Sequence, residues 1–216
     1  MAITQRAAND IVLGQGGSYG TDRDVLKHYI WDSRPFASPI TNYTFFSQQQ
    51  NAPFVGGFLK TLSETNMLDS GKFPSSQTFL VKRMGVNAVI YSSGQADARQ
   101  MSAFYTILQH SIFEFKIAGR EWDAQIHGRQ FMPLSMAIDG TNHGASIGCQ
   151  VASGWISLED SPIPLESMAT FSVQHTVVDA DPAIITLLNE AAGMLDSTGY
   201  GAEMRVILEG TLTRGK

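Results

Sequence analysis

Residues 111–132, SIFEFKIAGREWDAQIHGRQFM, constrain the fold more than any other stretch of the chain. Phe113, Phe115 and Ile117 alternate with Glu114, Lys116 and Ala118; after Gly119-Arg120, Trp122, Ala124 and Ile126 alternate with Asp123, Gln125 and His127. A strand turns successive side chains to opposite faces, so each half carries one apolar face and one mostly polar face. Gly119 stands where a short turn needs a permissive backbone. The pattern predicts a β-hairpin with one face on a core. Half-polar strands of this kind belong to antiparallel sheets with one open face, because parallel strands are buried on both sides and read as continuous apolar runs. The rest of the chain must therefore supply amphipathic strands to pack against the hairpin.

It does so repeatedly. In residues 77–91, Met84, Val86, Ala88 and Ile90 alternate with Arg83, Gly85, Asn87 and Val89, and Gly85 is read as the site of a bulge or bend. Trp155 to Leu158 reads as a brief strand. In residues 170–178, Phe171, Val173, His175 and Val177 share one face. In residues 202–213, Met204, Val206 and Leu208 alternate with Arg205, Ile207 and Glu209. Two stretches change period. Met101, Phe104, Tyr105 and Leu108 are spaced as one helical face, with Asp97 as N-cap. Asp181-Pro182 opens a second helix, with Ile184, Ile185, Leu188, Ala191, Ala192 and Leu195 on its apolar side. Residues 133–154 are loop-rich.

Residues 1–57 are less regular. Gly14, Gly16, Gly17 and Gly20 miss the spacing of a phosphate-binding loop and lack a following Gly-Lys-Ser/Thr. In TDRDVLKHYIWDS, Val25, Leu26, Tyr29 and Ile30 share a helical face, with Thr21 or Asp22 as cap; a short helix or ordered arm is expected. A short strand is expected in residues 41–47.

The chain has 216 residues, enough for one large domain. Charged residues make up 16%, below the usual quarter, and the net charge is −5. A polar but weakly charged surface buries against neighbours without desolvating many ions. The absence of a Lys/Arg-rich run argues against sequence-specific nucleic-acid binding. Cys149 is the only cysteine, which excludes an internal disulfide and a cysteine-based zinc site. The N-terminal MAITQRAANDIVLGQGG lacks the apolar stretch of a signal peptide, and no run approaches a membrane span.

No constellation of residues declares catalysis. The histidines are His28, His110, His127, His143 and His175, with no His-x-His pair of the cupin type. His127 and His143 with Glu121 or Asp123 could converge as a metal set in principle, and a hydrogen-bonded core or edge histidine is the expected role of His175. Asp123 with Asp139, and Glu159 with Asp160, have no spacing that marks an acid–base pair. There is no Gly-x-Ser-x-Gly. Gly154-Trp155 is read as a rim or subunit contact and Cys149 as an unreactive thiol. No catalytic, cofactor-binding or metal residues are expected, and no enzyme.

Several stretches in order resemble one family: PSSQTFLV at 74–81, FEFKIAGREW at 113–122, SPIPL at 161–165 running into Phe171-Ser172-Val173, and VILEGTLTR at 206–214. Together they resemble the jelly-roll major capsid proteins of tailless icosahedral bacteriophages. The resemblance covers residues 70–216. It implies a mainly β fold: a single antiparallel jelly-roll β-sandwich with two inserted helices, residues 58–216, preceded by an N-terminal arm and extension, residues 1–57. Eight strands with their loops fit this length once. It also implies self-assembly into an icosahedral shell through trimers or pseudo-hexamers, with other virion proteins, around a genome and with or without an internal membrane, the shell being built in the host cytoplasm. A minor capsid, vertex or receptor-binding spike protein on the same fold is the alternative, followed by a cupin-like or lectin-like binding protein. Removing residues 1–35 is expected to spare folding and impair assembly.

Overall fold

A computed structural model of the chain describes residues 23–54, 59–90, 98–117, 120–132, 154–178, 181–195 and 202–215. The expected Asp97 cap, the Gly119 turn, the early glycine cluster and residues 133–153 lie outside them. The described strands are β1 (Arg23–Pro35), β2 (Tyr43–Phe45), β3 (Gln77–Ile90), β4 (Ser111–Ile117), β5 (Arg120–His127), β6 (Trp155–Ser157), β7 (Ile163–Leu165), β8 (Phe171–Val177) and β9 (Ala202–Gly215). Two helices, α1 (Ala98–Gln109) and α2 (Pro182–Leu195), stand between strands, and a 3-10 turn spans Gly128–Phe131.

The strands form two antiparallel sheets. One has the order β1-β9-β3, with β6 and β7 pairing in succession along the far side of β3; the other has the order β2-β8-β4-β5. The expected hairpin is present, with Phe113 opposite Ile126 and Phe115 opposite Ala124, which puts these four on one face, and its register shifts between Phe115 and Ile117. Around that hairpin the chain pairs like a folded ribbon: β4 with β5, β3 with β6 and β7, β2 with β8, β1 with β9.

One apolar cluster takes side chains from both sheets. Val81, Met84, Val86, Met204, Val206 and Leu208 come from the first, and Phe113, Phe115, Phe171 and Val173 from the second. Phe73, from the β2–β3 connection, ties them together, its ring 5.6 Å from that of Phe79 and 5.8 Å from that of Phe171. Each such fully buried side chain contributes about 1.5–3 kcal/mol, so burial dominates the balance that holds the sheets together.

Both helices sit at the same end, since β3 and β8 lead into them and β4 and β9 lead out. Each buries most of its expected face, Phe104, Tyr105 and Leu108 on α1 and Leu188, Ala191, Ala192 and Leu195 on α2, while Ile185, expected on the apolar side of α2, is 40% exposed. Asp181 caps α2 as predicted, its Oδ1 accepting from the Ala183 N–H at 2.8 Å. The β1–β2 connection closes on the same end. Asn189 Oδ1 accepts from Ile40 N–H at 2.8 Å, and Phe36 packs edge-on against Phe104.

Two expectations are corrected. TDRDVLKHYIWDS does not carry a helix: from Arg23 to Pro35 it is a strand paired with β9 along its whole length. Leu26, His28, Ile30 and Asp32 alternate with Val25, Lys27, Tyr29 and Trp31. Ile30 and Asp32 are buried, and His28 meets Phe79 edge-on. The long ladder to β9 outweighs a local spacing that fits both periods. Strands β1 and β2 thus build residues within the expected 1–57 extension into the two sheets.

The second correction concerns β3. Its irregularity falls between Val81 and Arg83, at Lys82, and not at Gly85. Gly210 on β9 faces this point, and a Cβ there would lie 2.0 Å from the Leu80 carbonyl oxygen. Gly85 has a different task. The Trp155 ring lies over it, 3.0 Å from where a Cβ would be.

Candidate functional site

Among the described residues, no three histidine, cysteine or carboxylate side chains come together as a metal site. His127 Nδ1 accepts the Arg129 N–H at 3.2 Å and caps the 3-10 turn. Glu121 and Asp123 lie on β5 with side chains outside the described set, as do Asp139, His143 and Cys149 altogether. Glu159 and Asp160 are exposed on the β6–β7 turn. Trp155 is half-buried, its ring spent on Gly85. His175 is a core residue, as expected: it is fully buried, with Nε2 2.7 Å from Ser111 Oγ, and burial pushes its imidazole down to about 4.

What the geometry offers instead is surface. Strand β1 is the outer strand of its sheet. In its second half the free edge is covered by residues 62–66. Asn66 Oδ1 accepts from Trp31 N–H at 3.0 Å, Asn66 Nδ2 donates to Tyr29 O at 2.8 Å, and Trp31 Nε1 donates to Leu62 O at 3.2 Å. These bonds fix which residues turn their backbone groups outward: Tyr29 and Trp31, and by the alternation of a regular strand, Val25 and Lys27. No described strand pairs with that first half. Val25, Leu26 and Tyr29 there are 49%, 47% and 40% exposed. A long, open, partly apolar edge is a template for another strand.

The outward face beside this edge is polar. Lys27 Nζ lies 2.6 Å from Glu209 Oε1 and 5.4 Å from the centre of the Tyr29 ring, and Arg83 Nη1 is 3.8 Å from Glu209 Oε2. A shallow depression of about 330 Å³ runs along it between Lys27, Lys82, Glu159 and Glu209. A second, of about 240 Å³, lies between the helices, where Leu187 and Met194 meet Arg99 and Glu190. Leu187 and Met194 are seven residues apart and so share one exposed apolar flank of α2.

No protein-family model, no curated protein and no solved structure matches this chain.

One feature had no signal in the sequence. Asp32 of β1 and Lys60 of the β2–β3 connection form an ion pair, Nζ to Oδ1 2.5 Å, with both side chains wholly buried. Asp32 Oδ2 accepts the Phe46 N–H at 2.7 Å. Backbone bonds between Asn51 N–H and Lys60 O, and between Lys60 N–H and Ala52 O, hold Lys60 in place. Burial pushes the Asp32 carboxyl up and the Lys60 ammonium down, each against the attraction of the other. A lysine in a polar loop ordinarily reads as solvated, and an aspartate in a strand as surface.

Proposed function

We propose that this chain is a viral structural protein, a single jelly roll acting as the major capsid protein of an icosahedral shell, with no enzymatic activity. The observation that carries the reading is the strand order. If β6 and β7 are taken as one strand interrupted along β3, eight strands remain, each early strand pairs with its late counterpart, and the ribbon so formed winds into two four-stranded sheets. An order of this kind supports the reading as two interlocked Greek keys, the arrangement of a jelly roll.

Three further features support a shell-forming role over a binding or catalytic one. Charged residues are few, so subunit faces can be buried at modest desolvation cost. The open half of β1 and the exposed Leu187 and Met194 of α2 lie on different elements, which suits a subunit with several neighbours. Many weak lateral contacts of this kind add up through multivalency. The partners are copies of the same chain, in trimers or pseudo-hexamers, together with other virion proteins.

The test is the assembly state of the purified chain, by light scattering and electron microscopy. Shells or regular multimers are expected; a stable monomer at high concentration contradicts the reading. Copy number in purified particles then separates a major from a minor or vertex role, a handful of copies favouring the latter.

A further inference from the structure

Asp32 and Lys60 present an amine and a carboxyl in contact where water does not reach. The two side chains are wholly buried, 28 residues apart in sequence, and Nζ lies 2.5 Å from Oδ1. Phe46 and Thr65 both meet Asp32 through their backbones. Phe45, Phe46 and Thr65 are fully buried, and the Phe54 ring lies 5.5 Å from Nζ. The other carboxylate oxygen, Oδ2, is held by the Phe46 N–H.

We propose that Asp32 and Lys60 condense within the folded chain into an intramolecular isopeptide bond, an amide between Cγ of Asp32 and Nζ of Lys60.

The reaction balances without any further reactant. A proton passes from Nζ to Oδ1 along their hydrogen bond and leaves a neutral amine beside a neutral carboxylic acid. Burial favours this step, because it penalises the charged form of each group and is the largest influence on both. The Nζ lone pair then attacks Cγ. The carbonyl π pair moves onto Oδ2, where the Phe46 N–H is already placed to receive the developing charge. Collapse of this adduct expels Oδ1 as water, carrying the proton first transferred and a second from the nitrogen. One carboxylate and one ammonium become one amide and one water, with no change in oxidation state.

Two other charges bear on the pair. Arg34 favours the neutral amine but also favours the ionised carboxylate, and Glu203 favours the ammonium; both act less strongly than burial. Fixed contact between the reacting groups supplies the proximity that free amines and acids lack in water. Absence of bulk water favours the product, and the product no longer holds a buried ion pair, whose desolvation its own attraction barely offsets. The bond would tie β1 covalently to the β2–β3 connection, and the inference stands independently of any role in a shell.

The test is the intact mass of the full-length purified chain after unfolding, with no variant required. It should be lighter by one water than the sequence demands. A protease digest should then contain a branched peptide joining the Asp32 and Lys60 segments, with no cleavage after Lys60. Lys60→Arg and Asp32→Ala chains should show their full sequence masses. An unshifted wild-type mass after prolonged incubation at neutral pH overturns the proposal. So does a water loss that maps elsewhere, such as cyclic imide formation at Asp139-Gly140, or one that persists in Lys60→Arg.

Discussion

Ser111 and His175 share a hydrogen bond whose direction can be assigned. Ser111 Oγ lies 2.6 Å from the Ile107 carbonyl oxygen, which can only accept, so the single hydroxyl proton goes there. His175 Nε2, 2.7 Å from the same Oγ, must then be the donor. This fixes the neutral ring with its proton on Nε2 and leaves Nδ1 a buried acceptor with no hydrogen-bond partner among the described residues. The ring is otherwise packed against aromatics, stacked on Tyr43 at 5.7 Å and tilted against Phe113 at 5.1 Å.

Acid should therefore weaken the fold through His175. Its folded-state pKa, about 4, lies below the ordinary value of 6.5, so the unfolded chain binds the extra proton more readily. The stability due to the neutral ring is fully present above pH 6.5 and is lost progressively as pH falls to about 4. The total is on the order of 3 kcal/mol. Denaturant titrations across this window should show the decline in wild type and a flatter profile in His175→Phe. An equal slope in both would remove His175 as the cause.

Glycine substitutions should divide by position. Gly210→Ala places a methyl group 2.0 Å from the Leu80 carbonyl oxygen, a backbone atom that can move only by distorting the β3 irregularity. A loss of about 1–3 kcal/mol or more is expected. Gly193→Ala, in the last turn of α2, finds nothing nearer than 3.9 Å among the described residues and should gain about 0.4–1 kcal/mol. Thermal melts of the two variants should move in opposite directions.

The first half of β1 can be altered on its outer edge alone. The Lys27 N–H points away from β9, so Lys27→Pro leaves the ladder intact and removes a donor from the open edge. The lost ion pair with Glu209 joins a mostly exposed lysine and costs little. The variant should fold with a melting temperature near that of wild type and assemble less well, as read by light scattering. Undiminished assembly would show that this edge is not an interface.

Removal of residues 1–35 should not spare folding. It takes away all of β1, opens one side of β9 along its length, and deletes Asp32 from beside the buried Lys60. An uncompensated buried charge alone costs about 3–5 kcal/mol. Circular dichroism of the truncated chain should show lost or aggregated structure, and a well-folded monomer would contradict the role given to β1.

Much of this architecture was legible in the sequence where one period ruled. In β4 and β8 the apolar and polar residues alternate cleanly because one face is core and the other open, and in α1 and α2 most of the apolar stripe follows the helical period. Strand β1 misled because its first half is exposed on both faces. With Val25 and Leu26 adjacent and both accessible, no face is enforced and a helical spacing appears by chance. The irregularity in β3 is not encoded at Gly85 because the residue that accommodates it, Gly210, sits across from it on the partner strand. Asp32 and Lys60 were invisible for a related reason: nothing near either residue in sequence tells that the other will cover it.

The pairing of β1 with β9 also has a consequence for how the molecule comes into being. β9 follows every other strand in sequence and lies between β1 and β3, so the ribosome delivers the middle of that sheet last. Until then β1 and β3 have no common neighbour, and their inward-facing apolar side chains can meet only provisional partners. Contacts between such distant parts of a chain slow folding toward the millisecond-to-second range. During synthesis the nascent polypeptide thus exposes two long strand edges at once, the period in which a chaperone would matter most.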